Sequence, residues 1–429
     1  MNILVIGNGF DLAHGLPTKY GDFLEFIKVI RQVVKVHDKE SLDSIEWGSV
    51  NSQIREIIER KMGNVRNNLI SQKQMWDNLL EGNWWIDYFL QCDMYQKENW
   101  IDFESEISRV IQSIDQDMHN DKLDENAIIY KFSESYLADR FLDNMEQLVQ
   151  ERYGQAYEEM KKVEEAQGEK WGAAKESEYL SKFEEDHPFE NLKEKITYKK
   201  LITKLENDLD RLIRALEVYL AEYVGDITKN KKDMGSSSFN YNPDHVLSFN
   251  YSDTFEWIYG KGKKIEYDYI HGKADINNTT ESNNMVLGID EYLEPERVDK
   301  EIDFIAFKKY YQRIYKGTGC KYRDWFYEIQ ESAKSTETKL RPAYPIQIPL
   351  IKFSNNEKHK LFIFGHSLDV TDKDILRDLI LNDNVYTEIY CVDKKDLKRK
   401  ISNLVKVIGP DELVRRTGGS TKTIEFKLQ

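Results

Sequence analysis

The hydrophobic pattern changes period along the chain. Short apolar, β-branched runs of strand length lie near both ends, at residues 2–6, 245–249, 268–270, 285–287, 360–364, 387–392 and 423–427. Several end in glycine or a small polar residue, as buried parallel strands do where a loop meets a ligand. Together the seven runs predict one mainly parallel sheet. Between the first and second run lie more than two hundred residues with poor strand signals and good helical period. There Leu201, Leu205, Leu209, Leu212, Leu216 and Tyr219 step by three and four, the mark of one core-facing stripe. Residues 23–34, 54–70 and 100–114 also read as helices, with Trp76, Trp84, Trp85 and Trp100 as bulk for a core between them.

This pattern predicts an α/β fold: a Rossmann-like, mainly parallel sheet flanked by helices, with a large all-helical insertion after the first strand. The sheet domain is discontinuous, residues 1–24 and 243–429, the insertion covers 25–230, and 231–242 (KKDMGSSSFNYN) is the linker. Residues 150–185 are dense in Glu and Lys and read as a solvated helical arm or mobile hairpin. The segment KKYYQRIYKGTGCK at 308–321 predicts a helix with its cations in solvent and its tyrosines packed inward.

Composition narrows the class. Hydrophobic residues are 40% and aromatics 12% of 429 residues, enough for a large core, and 8 prolines favour long helices over a sandwich of short strands. A net charge of −15 argues against broad attraction to nucleic acid or anionic membrane. Cys92, Cys320 and Cys391 are odd in number and far apart, so neither a disulfide framework nor a thiolate zinc site is indicated. There is no basic region before the first apolar run, and no window nears the roughly 18 apolar residues of a spanning helix. A soluble cytoplasmic protein with no membrane partner is expected.

Candidate chemistry gathers at the ends of the strand runs. Residues 3–6 deliver Gly7-Asn8-Gly9, where glycines allow a sharp turn and close approach to a pyrophosphate. The full G-x-G-x-x-G fingerprint is incomplete, because Leu12 stands where the third glycine belongs, so a plain strand-to-helix turn explains the segment as well. Thr18 and Asp22 are candidate caps of the next helix. Asp11, which would repel phosphate, suits a ribose hydroxyl, a backbone amide or a helix cap. A second run ends at Asn250, with Asp253 within one turn of it; both residue types also serve as caps. A third ends in His271-Gly272, and histidine titrates near neutrality, as a general base must. A fourth ends in Gly365-His366-Ser367, before a helix that Asp372 can cap.

Taken in order, GNGFDLAHGLPTKYGDF, WIDFE, SFNYSDTFEWIYG, IHG and FIFGHSLDVTDKDIL resemble the AbiH family of bacterial abortive infection proteins. The same order is similar, more remotely, to sirtuins and sirtuin-like NAD-hydrolysing domains, whose G-A-G turn, N-I-D, H-G and G-T-S segments match GNG, NYSD, HG and GHS here. Two departures stand out: Asp253 lies one residue further along than its sirtuin counterpart, and His366 replaces a threonine. With no four-cysteine zinc site and no acyl-lysine groove, protein deacylation is not expected.

The resemblance implies an antiphage effector that binds NAD, as substrate or ligand, and cleaves it to nicotinamide and ADP-ribose without a metal. It assigns His271 as general base, Asn250 to position ribose or water, and Asp253 as a third catalytic candidate. Gly7, Asn8, Gly9, Gly365, His366 and Ser367 would line the nucleotide, with Asp11 beside them. Expected partners are NAD or a related nucleotide, a phage-derived trigger or companion defence protein, and further copies of the chain. Two alternatives stay open: a non-catalytic nucleotide sensor or toxin component, and a nuclease effector holding Mg²⁺ through Asp102, Glu104 and Glu106.

Overall fold

The computed structural model describes residues 1–35, 44–64, 68–120, 162, 198–230, 241–293, 297, 302–339 and 359–428. Residues 231–240 of the expected linker, and the acidic stretch 150–185 apart from Lys162, lie outside them. Six strands form one sheet: β1 (Asn2–Ile6), β2 (His245–Ser248), β3 (Glu266–Tyr269), β4 (His359–Phe364), β5 (Val385–Cys391) and β6 (Ile424–Leu428). All neighbours are parallel, in the order β3-β2-β1-β4-β5-β6. This is the doubly wound, Rossmann-like α/β order: the chain builds outward from β1 to β3, then crosses back to lay β4 on the other side of β1.

Burial follows that order. The adjacent strands β1 and β4 are covered on both faces, which is why ILVI and LFIF read as unbroken apolar runs. Alternate residues face opposite ways. Ile3, Val5, Leu361 and Ile363 join Ile375, Leu376, Leu404 and Val407 in one core, while Leu4, Ile6, Phe362 and Phe364 join Phe10 and Phe255 in the other. The edge strand β3 carries charge instead, as EYDY.

The run at 285–287 is buried but belongs to no strand. Its backbone groups are taken elsewhere: the Val286 amide donates to His271 O, the Gln312 side chain pairs with both Leu287 N and O, and Lys316 donates to Met285 O. A segment whose polar groups are satisfied this way has none left for a ladder.

The helices, with chain-order labels for the described residues only, are α1 (Asn8–Ala13), α2 (Tyr20–Val33), α3 (Ser52–Asn64), α4 (Asn68–Leu80), α5 (Trp84–Gln91), α6 (Asp93–Glu98), α7 (Phe103–Asn120) and α8 (Tyr198–Val218). They continue through a π-turn (Tyr219–Val224) to α9 (Gly225–Asn230), α10 (Thr254–Tyr259), α11 (Lys309–Lys316), α12 (Tyr322–Lys339), α13 (Lys373–Ile380), α14 (Lys394–Ile408) and α15 (Pro410–Thr417). Two compact units emerge. One, Met1–Glu81 with Arg211–Asp290 and Lys308–Gln429, holds the whole sheet; the other is Gly82–Asp210 with Glu291–Phe307.

In the sheet-bearing unit, α2 opens with Asp22 accepting from the Lys19 amide, while Thr18 donates to Asn8 rather than capping. Phe26 packs on Trp76, Tyr219 and Tyr223. In the second unit Phe89 stacks on Phe103 at 4.2 Å, and Trp85 is fully buried, its indole donating to Leu205 O. Every position of the 201–219 stripe is buried, but Trp100, expected in the core, is 55% exposed.

Candidate active site

Four turns leave the carboxyl ends of β1 to β4 around the point where the strand order reverses. Those of β1 and β4 touch backbone to backbone. Gly7 donates its amide to Phe364 O at 3.1 Å, and Gly9 donates to Gly365 O at 2.9 Å. A Cβ on Gly7 would lie 2.7 Å from the Cα of His366, and one on Gly9 2.8 Å from the Cα of Gly365. Glycine is demanded here by neighbouring backbone, and two of the amides expected on a phosphate are engaged within the protein. Asn8 is exposed, and its side chain accepts the Thr18 hydroxyl at 2.6 Å. Ser367 is also exposed, its carbonyl accepting from Asn403 at 3.0 Å.

Behind this contact sits a carboxylate between two imidazoles. Asp372 places Oδ1 3.5 Å from His271 Nε2 and Oδ2 3.4 Å from His366 Nε2, with the Lys309 ammonium 3.9 Å from Oδ1. Burial alone would push this carboxyl up, but hydrogen bonds from the two imidazoles and the charge of Lys309 hold it well below the ordinary range. The expected helix cap is thus only half right. Asp372 occupies the N-cap position of α13, yet its side chain makes no capping bond and serves the histidines instead.

The backbone fixes one tautomer. His366 Nδ1 accepts the Leu368 amide at 2.9 Å, so its proton resides on Nε2, facing Asp372. Leu368 holds φ +58°, a left-handed conformation costing a leucine roughly 1–2 kcal/mol. His271 likewise turns Nε2 to the carboxylate, which leaves Nδ1 as the acceptor; it is buried and has no hydrogen-bond partner.

Lys309 arrives on α11, whose orientation reverses the expected one. Lys308 is 2% and Lys309 3% exposed, whereas Ile314 and Tyr315 are each 76% exposed. The inward face is chosen by polar pairing: Lys309 with Asp372, and Gln312 with the backbone of Leu287.

Asn250 Nδ2 donates to Gly7 O at 3.1 Å, tying the β2 turn to the β1 turn, while Oδ1 is buried without a partner. Asp253, at the N-cap of α10, stands apart from these groups on the rim, with its side chain 39% exposed and 3.7 Å from Lys273 Nζ. Asp11 is no cap. It lies within α1, 1% exposed, accepting the Ser252 hydroxyl at Oδ2, with Oδ1 unpartnered.

Burial raises the Asp11 carboxyl from 3.8 to about 6, against the easing effect of Ser252, Thr254 and Asn250. Because the folded protein then holds a proton that the unfolded chain releases, stability falls as pH rises from about 4 to 6. Above that range the ionised group costs about 3 kcal/mol. Asp11→Asn is therefore expected to melt higher than the parent at pH 8 and to lose that advantage by pH 4. Thermal denaturation across this range checks it, and a constant difference would contradict the assignment.

Among the described residues no group of three or more His, Cys, Asp or Glu is arranged to hold a metal ion. The His271–Asp372–His366 set has the wrong tautomer for one, because a histidine ligand offers a lone pair where His366 carries its proton. The proposed Mg²⁺ carboxylates are also occupied: Asp102 accepts from Glu104 N and Ser105, and Glu106 from Tyr88 and Arg109.

A family model described as Bacteriophage abortive infection AbiH matches residues 3–391. No curated protein and no solved structure matches the chain. Among the described residues no helix is long and apolar enough to cross a membrane.

Proposed function

The chain belongs to the bacteriophage abortive infection AbiH family, and on that premise we propose that it acts in phage defence by binding NAD at the carboxyl edge of its sheet and hydrolysing it. The observation that carries this reading is the Asp372–His271 pair, which orients an imidazole with Nε2 bonded and Nδ1 available, beside Asn250 at the strand-order switch point. The resemblance of GNG, NYSD, HG and GHS, in that order, to sirtuin-like segments supports the choice of NAD. In the reaction the C1′–N bond breaks with its electron pair passing to the pyridinium ring, so nicotinamide leaves neutral. Water adds to the oxocarbenium-like ribosyl carbon and gives its proton to His271 Nδ1. Asn250 holds the ribose or the water, and Asp372 steadies the imidazolium that forms.

Purified protein mixed with NAD should release nicotinamide, with His271→Ala slower by about 100-fold or more. Asn250→Ala should also be slowed. No nicotinamide, even in extract from infected cells, rejects the hydrolase; unchanged rates in both variants reject the site. The sensor alternative places the same nucleotide at the same edge without the hydrolytic step. It predicts NAD binding without turnover.

A further inference from the structure

Nine buried side-chain polar atoms among the described residues have no hydrogen-bond partner, and three of them belong to turns at adjacent strand ends: Asp11 Oδ1 after β1, Asn250 Oδ1 after β2 and His271 Nδ1 after β3. Each side chain is more than nine-tenths buried, at 1%, 5% and 7% exposure. All three atoms are acceptors. For Asp11 this is the chemistry of a carboxylate. Asn250 is oriented by its Nδ2 bond to Gly7 O, which leaves the amide oxygen as the orphan. For His271 the Nε2–H faces the carboxylate of Asp372, which accepts, and Nδ1 is left with a lone pair.

Unmatched buried acceptors are costly, and what satisfies them must donate. We propose that this edge binds its ligand through hydrogen-bond donors on an uncharged part of the molecule, the vicinal hydroxyls of a second ribose beyond the pyrophosphate, which ADP-ribose has and ADP lacks, and not through phosphate oxygens. A phosphate offers only acceptors at neutral pH and would meet the Asp11 carboxylate directly. The arrangement of donors already spent fits this, because the Gly7 and Gly9 amides that would greet a phosphate are bonded to Phe364 O and Gly365 O. A primary carboxamide, as in nicotinamide, is the other source of paired donors. The choice of a ribose rests on the NAD reading; the donor polarity does not.

The test is calorimetric titration of the full chain with ADP-ribose, with ADP, and with nicotinamide alone. ADP-ribose should bind at least about tenfold tighter than ADP, and Asp11→Asn and Asn250→Ala should each remove most of that gain. Nicotinamide binding that both variants weaken, with ADP and ADP-ribose alike, would keep the donor assignment and transfer it to the carboxamide. Equal binding of ADP and ADP-ribose with no nicotinamide binding overturns it, and so does a gain that both variants retain. Because the ligand comparison uses the unaltered protein, a variant that fails to fold does not remove the test. Failure here is separable from failure of hydrolysis: nicotinamide release without sugar discrimination defeats only this inference, whereas ADP-ribose discrimination without nicotinamide release defeats only the hydrolase.

Discussion

Gly365→Ala is expected to cost about 3–5 kcal/mol and to leave little soluble protein. The added Cβ would sit 2.1 Å from the Phe10 nitrogen and 2.6 Å from the Gly9 carbonyl carbon. Both obstacles are backbone, so no side chain can rotate away. Position 365 also holds φ +64°, where alanine is strained by roughly 1–2 kcal/mol even in open space. Relief would require the β1 and β4 turns to part, breaking the Gly9–Gly365 hydrogen bond and shifting His366 off Asp372. Gly317→Ala is the matched control, with φ +61° and nothing within 4 Å of its Cβ. Urea midpoints for the two variants separate backbone strain from close packing. Equal losses would mean that the turn contact has no special weight.

Asp372→Asn should cost about 3–5 kcal/mol at neutral pH, the usual penalty for stripping one partner from a buried charged cluster. Asparagine offers one acceptor where two imidazole N–H groups need one each, so its NH₂ must face a donor. The pH dependence has a definite sign. A carboxyl held below its unfolded value stabilises the fold fully above about pH 4, and that contribution fades as pH falls through the depressed value. The gap between parent and variant should therefore close below pH 4, opposite in sign to the Asp11→Asn difference. Under the proposed chemistry, nicotinamide release should fall as well, because His271 loses the group that fixes its tautomer. A variant as stable as the parent at pH 7 would show that the cluster is not coupled.

The elements of this site differ in how legible they are in the sequence, and the reasons are physical. A glycine beside a polar residue at the end of an apolar run is a local signal. Gly7, Asn250, His271 and Gly365 could accordingly be singled out one by one, and the parallel sheet gathers their turns on a single edge. Asp372 carries no such mark. Asp369, Asp372 and Asp374 look alike in SLDVTDKD, and only the fold decides which of them meets two histidines. In α11 the helical period separates Lys309, Gln312 and Lys316 from the aromatic residues but does not say which face is inside. Partners remote in sequence, Asp372 and the Leu287 backbone, settle it against the ordinary rule. The run at 285–287 misleads in the same way, because burial of an extended segment does not need a neighbouring strand. Trp100 shows the converse, an aromatic whose bulk was not needed in the core.

The pairing of β1 sets a timetable. Residues 2–6 emerge from the ribosome before either neighbour, yet they lie between β2 and β4, and the β4 partner follows some 350 residues later. At synthesis rates of about 5–20 residues per second, that is a wait of roughly 20 s to over a minute. Until then Gly365, His366 and Asp372 do not exist, and neither imidazole has its carboxylate. A chain that stops short of β4 therefore carries GNGFD without this cluster. The carboxylate between the two imidazoles is thus completed only after β4 and the turn that follows it have been made, one consequence of separating the central strand from its second neighbour by some 350 residues.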